Sequence, residues 1–168
     1  MPDKSDSRKV YTSNDSGRIL EAARNVPLFA GLDAGALETL SKYLYCHRVS
    51  KDDVVFREGE TGDYVCFVAE GILEVKKNVP GKRPVVIARV SRGQAIGEMS
   101  TIDEFPRSAS VTAVTDTTLV TLGRKDFDAL LADHPRIGIR ILEGLTRLLS
   151  LNLRRTSSRL ADYMLPLV

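Results

Sequence analysis

The sequence contains few of the residues from which metal and redox sites are built. Its 168 residues include only two cysteines and two histidines. Cys46 and Cys66 lack CxxC spacing and fall in predicted strands, so we expect two reduced thiols in the core. His47 and His134 are far apart in the sequence, whereas a metal-binding β-barrel needs clustered histidines. The composition therefore predicts no metal ion and no cofactor.

Long apolar runs and a strong overall charge are also absent. The chain begins Met-Pro-Asp-Lys-Ser-Asp, without an apolar run behind a basic start, which predicts neither a signal peptide nor a transmembrane span. The formal net charge of +2 is too small to attract nucleic acid or an anionic membrane to the chain as a whole. We therefore expect a cytoplasmic protein without a membrane or nucleic-acid partner.

Signatures of catalysis are missing as well. The sequence has no visible set of nucleophile, base and orienting residue, no Walker-type glycine loop and no HExxH helix. We expect no enzymatic activity.

What the sequence does contain is a series of short β-branched runs separated by glycine. A chain of 168 residues at 43% hydrophobic content is long enough for one domain with a core. Residues 1–16 are polar and predicted to be disordered, so the single domain is expected at 17–168. The spacing of the runs is typical of an antiparallel sandwich or barrel. The predicted strands are 53–56, 64–70, 72–77, 84–90, 108–115 and 118–123.

Helices are predicted on both sides of this β region, which spans 45–123. Residues 17–44 contain two short helices, the second with Asp33 as its N-cap. Residues 125–164 contain a short helix and then a long one from Arg136 to Met164. The long helix has an apolar stripe wider than one β surface needs, so we expect it to pack on its own domain and on a second copy. The stripe consists of Ile141, Leu142, Leu145, Leu148, Leu149, Leu153 and Leu160.

The segment Gly97–Ala109 carries two side chains that suit a nucleotide. Glu98 can accept hydrogen bonds from sugar hydroxyls, and Arg107 offers a fixed fork of donors to phosphate oxygens. Each also has an ordinary explanation: an exposed carboxylate at a strand end for Glu98, and a surface salt bridge to Asp103 or Glu104 for Arg107. If the segment binds phosphate, those two acidic residues should face water, because like charges repel.

The motifs in and around this segment resemble those of a known family. Ile96-Gly97-Glu98-Met99-Ser100 followed by Pro106-Arg107-Ser108-Ala109 resembles the phosphate-binding cassette of the cyclic nucleotide-binding domain family. Residues 56–60 and 67–71 resemble the glycine-marked strand turns of that family, and residues 25–32 resemble its entry segment. The similarity spans roughly Val26 to Arg159.

The resemblance implies a mainly β fold: an antiparallel β-roll or jelly-roll barrel with N-terminal helices, a short cassette helix and a long C-terminal helix. It implies that Glu98 accepts from the ribose 2′-hydroxyl and that Arg107 binds the cyclic phosphate. Ser108 could donate to the phosphate or to a syn guanine, or it could simply start a strand. Cyclic AMP is the first expected ligand and cyclic GMP the second. The other ligand contacts expected from the resemblance are Gly97, Met99, Ser100 and Ala109.

The resemblance also implies that the long C-terminal helix covers the base. The polar candidates for this lid are Asn152, Arg154 and Arg155, which could equally be solvated helix residues. Asn152 could instead fix the register of a helix pair. Several apolar residues could line the purine slot or merely fill the core: Val55, Val65, Val85, Ile87 and Ile96.

The sequence thus predicts a cyclic nucleotide sensor that signals through its C-terminal helix to an unidentified effector. The same helix is predicted to form a homodimer. Two alternatives stay open. One is a non-binding scaffold or dimerisation module. The other is the sensor half of a transcription regulator without its DNA-binding domain, because residues 154–160 resemble the dimer helix of the catabolite activator class.

Overall fold

Two antiparallel sheets form the centre of the computed structural model, which describes residues 11–13 and 15–164. The first sheet has the strand order β1 (Tyr11–Ser13), β2 (Leu44–Val49), β9 (Thr117–Gly123), β4 (Tyr64–Glu70) and β7 (Ala95–Ile96). The second has the order β3 (Val54–Phe56), β8 (Ser110–Ala113), β5 (Ile72–Lys77) and β6 (Val85–Ser91). The β-roll is therefore two open sheets and not one closed barrel.

Strand β4 is central because both of its faces are apolar. Val65, Phe67 and Ala69 pack against the helices, while Cys66 and Val68 pack against the second sheet. All five are at most 3% exposed. A strand buried on both faces appears in the sequence as a continuous apolar run, which explains why its bounds could be predicted.

Helices flank the sheets on the side of β4 that carries Val65 and Phe67. The Asp33 carboxylate accepts the Ala36 N–H at 2.8 Å, which confirms Asp33 as an N-cap. In the described residues the helices are α1 (Ser16–Arg24), α2 (Ala34–Ser41), α3 (Glu98–Asp103), α4 (Arg124–Asp133) and α5 (Pro135–Met164), with a 3₁₀ turn at Pro27–Phe29.

The prediction that residues 1–16 are disordered was wrong for part of that segment. Tyr11–Ser13 forms a strand antiparallel to β2, with Tyr11 opposite Arg48. Helix α1 begins at Ser16, where the Asp15 carboxylate accepts the Gly17 N–H. The strand sequence Tyr-Thr-Ser is short and mostly polar, so hydropathy could not reveal it. Residues 1–10 and 14 lie outside the described part of the chain.

The long helix α5 is buried only in its first half. Gly138, Ile141 and Leu145 are buried, and Leu148 is half-buried against the same core. From Leu151 to Met164 every residue is exposed. The predicted stripe is thus covered at Ile141 and Leu145 and uncovered at Leu153 and Leu160, which are 68% and 59% exposed. No helix in the described ranges is long and apolar enough to span a membrane.

Candidate functional site

The segment between β7 and β8 is built around a left-handed turn and a short helix. Gly97 has φ of +78°, a conformation that L residues rarely adopt, and it turns the chain from β7 into α3. The Thr101 hydroxyl donates to the Gly97 carbonyl at 3.0 Å, and Glu104, with φ of +61°, ends the helix. This local structure places Glu98 in the first turn of α3.

Arg107 points into the protein and not into solvent. It is 2% exposed, and its guanidinium stacks on the Phe56 ring at 4.2 Å and the Tyr64 ring at 4.5 Å. Nη1 donates to the Gly97 carbonyl at 3.0 Å and Nη2 to the Tyr64 carbonyl at 2.9 Å. The alternative of a surface salt bridge is therefore wrong, because the side chain is buried between two aromatic rings.

The hydrogen-bonding capacity of Arg107 is not fully used by the protein. Its Nε is buried and has no hydrogen-bond partner among the described residues. The hydrogen bonds of the guanidinium go to carbonyl groups, and no salt bridge of Arg107 is found within residues 11–13 and 15–164. An unsatisfied buried donor costs on the order of 1–3 kcal/mol. An anion bound beside Nε would remove that cost.

Backbone donors lie next to the guanidinium. The Arg107 N–H donates to the Glu60 carbonyl at 2.8 Å, and the Arg107 carbonyl accepts the Gly59 N–H at 2.9 Å. The N–H groups of Ser108 and Ala109, in contrast, have no partner in the part of the chain that the structure describes. Free consecutive amides beside a buried cation make a concavity suited to an anion.

Glu98 is buried at the start of α3. It is 7% exposed, so the alternative of an exposed strand-end carboxylate is wrong. Burial raises the pKa of the Glu98 carboxyl above its ordinary value, while hydrogen bonds from its own backbone N–H and from the Asn152 side chain, together with the Arg107 charge, act in the opposite direction. The site thus combines a buried cation with a buried carboxylate that retains capacity to accept hydrogen bonds.

The other predicted cassette residues differ in exposure. Ser100 and Ala109 are 4% and 6% exposed, whereas Met99 and Ser108 are exposed. The Ser108 hydroxyl donates weakly to the Met99 sulfur at 3.9 Å. Asp103 is exposed on the outer side of the segment, as expected.

Helix α5 reaches this site through a residue predicted for the lid. The Asn152 side chain is exposed and lies close enough to the Glu98 carboxylate to lower its pKa, so this part of α5 faces the cassette. The guanidinium groups of Arg154 and Arg155 are exposed and make no hydrogen bond or ion pair with the described residues. Arg159, which was not among the predicted lid residues, donates to the Ile87 carbonyl of β6 at 3.2 Å.

The apolar residues considered for a purine slot fall into two groups. Val65 and Ile96 are core residues, 0% and 5% exposed, and Val55 packs against the core, which favours the core-packing alternative for these three. Val85 and Ile87 on β6 are 46% and 47% exposed. Open apolar surface near the site therefore lies on β6, beneath Arg159.

One arginine joins α3 to α4. Arg124 Nη1 donates to the Thr101 carbonyl in the last turn of α3 at 2.6 Å, and Nη2 lies 3.4 Å from a Glu104 carboxylate oxygen. Nε of the same side chain donates to Asp128, one turn further along α4. Sequence analysis missed Arg124 together with Phe56 and Tyr64, because their roles depend on contacts between distant segments.

Glycine at position 62 is required by the buried guanidinium. A Cβ added at Gly62 would overlap Arg107 Nε and Cζ. We expect Gly62→Ala to displace Arg107 and weaken anion binding about tenfold or more, as expected for loss of a charge-assisted hydrogen bond. Gly31→Ala, in a loop outside the cassette, is the control for an added methyl group, because Gly31 has no positive φ and a Cβ there meets only Arg140 Nη1 at 3.6 Å, an ordinary contact. Calorimetric binding by both variants tests this, and equal affinities would contradict it.

These features agree with comparisons to known proteins. A family model described as "Cyclic nucleotide-binding domain" matches residues 46–134. The chain belongs to the cyclic nucleotide-binding domain family, whose fold has flanking helices around antiparallel sheets. It is a regulatory domain of that family.

Individual relatives give the same assignment. The chain is 31% identical over 137 residues to the "CRP-like cAMP-activated global transcriptional regulator" of Mycobacterium tuberculosis, covering 82% of this chain and 59% of the relative. It is 31% identical to the "Cyclic AMP receptor protein" of Thermus thermophilus over 72% of this chain and 56% of that protein. A crystal structure of a cyclic nucleotide-binding domain from Methylobacillus flagellatus matches with 34% identity and a TM-score of 0.78, covering 88% of this chain and 83% of that one. The chain thus spans less than two thirds of the length of these curated relatives.

Proposed function

We propose that the chain is a cyclic AMP sensor, with cyclic GMP as the second candidate ligand, and that Arg107 and Glu98 are its main ligand-binding side chains. The observation that carries the proposal is the buried Arg107 Nε, which has no partner in the described residues and lies in the same site as a buried carboxylate. A cyclic phosphate supplies the acceptor that Nε lacks, and a ribose supplies a hydroxyl donor to Glu98.

On the phosphate side, the guanidinium is already oriented. The Gly97 and Tyr64 carbonyls and the two aromatic rings hold the side chain in one position, so little side-chain entropy is lost on binding. Its remaining N–H groups and the Ser108 and Ala109 amides then bind the phosphate oxygens. Met99, Ser100 and Gly97 shape the turn that brings these donors together.

On the ribose and base side, the proposal uses Glu98 and the second half of α5. Asn152 at Glu98 and Arg159 at Ile87 would bracket the base between the helix and the open surface of β6. Arg154 and Arg155 remain candidates for the lid only if ligand binding reorients them. The preference for adenine rests on the names of the M. tuberculosis and T. thermophilus relatives.

Signalling would proceed through α5. Ligand contacts that favour one helix position shift the population toward it by the difference in affinity. Four leucines of α5, three of them exposed and Leu149 half-buried, also have the seven- and four-residue spacing of a coiled-coil seam, which supports a homodimer through this helix. These residues are Leu142, Leu149, Leu153 and Leu160. The effector is unidentified.

The proposed ligand is tested by isothermal titration calorimetry with cyclic AMP, cyclic GMP, 2′-deoxy cyclic AMP and linear 5′-AMP. We expect the order cyclic AMP, then cyclic GMP, then the deoxy analogue, because the analogue lacks the hydroxyl that Glu98 accepts. Linear 5′-AMP carries an additional negative charge and should bind most weakly. No binding of any cyclic mononucleotide would favour a scaffold or dimerisation module instead.

Glu98→Gln is expected to weaken ligand discrimination and to stabilise the free protein. The neutral amide is a poorer acceptor, so the preference for cyclic AMP over its deoxy analogue should fall by roughly 1.5–3 kcal/mol.

Because burial raises the pKa of Glu98, the folded state loses stability as pH rises from the ordinary carboxyl value of 4.5 through the folded pKa. Urea unfolding should therefore show the variant more stable than wild type at about pH 7.5, with little difference at about pH 4. A destabilised variant at the higher pH would contradict the assignment.

The second candidate function is the sensor half of a transcription regulator. It is favoured by one observation: the chain covers 59% of a relative named as a transcriptional regulator. The neighbouring sequence of the gene distinguishes the two candidates, because a regulator requires a DNA-binding domain encoded in the same chain.

A further inference from the structure

A lysine outside the cassette contacts its backbone. Lys77, at the end of β5 and 31 residues before Ser108, donates to the Ser108 carbonyl at 2.6 Å. The same ammonium donates to Glu58 Oε1 at 2.6 Å, and Glu58 Oε2 accepts the Asn78 N–H at 2.9 Å. The hydrogen bond from Lys77 is the first cause of a pKa of Glu58 below its ordinary value. The ammonium is thus held in place by a carboxylate that is itself fixed.

The contact determines the orientation of a peptide group. No peptide bond in the described residues is cis, so the Ser108 carbonyl and the Ala109 N–H point in opposite directions in one plane. When Lys77 holds the carbonyl on one side, the Ala109 N–H must point to the other. That N–H has no partner in the described part of the chain.

Neighbouring contacts fix the rest of the segment but not this peptide. The Arg107 backbone is bound by Gly59 and Glu60, and the Ser110 hydroxyl accepts the Glu58 N–H at 2.9 Å. Between Arg107 and Ser110, Lys77 is the side chain that holds a carbonyl. Without it, the Ser108–Ala109 peptide could rotate while its ends stayed in place.

We propose that Lys77 is a positioning residue for the phosphate subsite: held by Glu58, it orients the Ser108–Ala109 peptide so that the Ala109 N–H points at one exocyclic oxygen of a cyclic phosphate. The proposal rests on the proposed function of the cassette. It assigns Lys77 a geometric role in addition to its positive charge, which Glu58 largely neutralises.

A geometric role has a stereochemical signature. The two exocyclic oxygens of a cyclic phosphate are not equivalent, and the Sp and Rp phosphorothioates each replace one of them with sulfur, a weaker hydrogen-bond acceptor. An N–H aimed at one oxygen makes the protein discriminate between the two diastereomers. A charge that acts only at a distance favours both diastereomers equally.

The test compares Lys77→Met with Lys76→Met by calorimetry, using cyclic AMP and its Sp and Rp phosphorothioates. Lys76 is the matched control, because it is the adjacent lysine of the same strand and contacts Glu74 instead of the cassette. We expect Lys77→Met to weaken cyclic AMP binding about tenfold, the effect of one charge-assisted hydrogen bond, and to reduce the Sp/Rp affinity ratio. Lys76→Met should change neither. Lys77→Arg should retain the wild-type ratio, because its guanidinium can still donate to Ser108.

Each outcome decides the proposal. A reduced ratio in Lys77→Met that Lys77→Arg restores supports it. If Lys77→Met binds cyclic AMP more weakly but keeps the wild-type Sp/Rp ratio, Lys77 acts through its charge and the proposal is overturned. If Lys77→Met keeps both the wild-type affinity and the wild-type ratio, the proposal is also overturned. If Lys77→Met fails to fold, Glu58→Gln is used in its place. Loss of the Glu58 charge frees Lys77 and should also lower the Sp/Rp affinity ratio. An unchanged Sp/Rp ratio in Glu58→Gln overturns the proposal. Wild-type protein that binds no cyclic nucleotide overturns the proposed function together with this inference.

Discussion

Replacing Arg107 with alanine is expected to remove most cyclic nucleotide binding while the fold survives. The substitution deletes a charge-assisted fork and leaves the phosphate uncompensated in a buried site. The expected loss is on the order of 2–5 kcal/mol, or roughly 30-fold to several thousand-fold in affinity. Calorimetry with cyclic AMP measures the loss. An affinity within threefold of wild type would show that the cassette assignment is wrong.

The stability of this variant must be measured as well, because Arg107 also has structural contacts. Alanine leaves the Gly97 and Tyr64 carbonyls without their donors and opens space between Phe56 and Tyr64. Arg107→Lys separates the two roles, since lysine keeps the charge and loses the planar fork. Weak binding by a folded Lys variant would identify the fork, and not the charge alone, as the determinant.

Removing the second half of α5 is expected to change both the oligomeric state and ligand affinity. Truncation after Ser150 deletes Asn152 and Arg159 together with the exposed residues of the predicted seam. The cut is placed after Ser150 because Leu148 packs on the core and should be kept. We expect a monomer that binds cyclic AMP about tenfold or more weakly, because the lid contacts are lost. Sedimentation velocity and calorimetry on the same samples measure both effects.

The predicted dimer and the predicted lid can be tested separately. A full-length chain that sediments as a monomer at about 100 μM, where an interface of standard size would be populated, would contradict the dimer. Asn152→Ala in the full-length chain is the control for the lid, since it removes the contact to Glu98 and leaves the exposed leucines. If this variant binds like wild type, α5 does not contribute to the ribose site through Asn152.

Much of the local structure followed from the sequence, because it depends on nearby residues. The strands Tyr64–Glu70 and Ile72–Lys77 were predicted at their observed bounds, since apolar runs and glycines mark their ends. The cassette residues could be named from their order along the chain.

The environment of those residues did not follow from the sequence. Periodicity does not reveal that Arg107 is buried between Phe56 and Tyr64, since these positions come together only when β3, β4 and the cassette pack. The same limit applies to Asn152 at Glu98 and to Lys77 at Ser108, contacts between residues far apart in sequence. The cassette residues could be identified from their order along the chain. Their burial and their contact partners could be seen only in the folded structure.

Arg124 connects the cassette physically to the C-terminal helices. Its side chain binds the last turn of α3, and its backbone starts α4, which leads directly into α5. If a ligand in the cassette changes how α5 binds another protein by some factor, that protein changes ligand affinity by the same factor. Under the proposed function, the nucleotide affinity of the isolated chain would differ from that of the chain in complex with an effector, and the ratio of the two affinities would measure how strongly the domain regulates that effector.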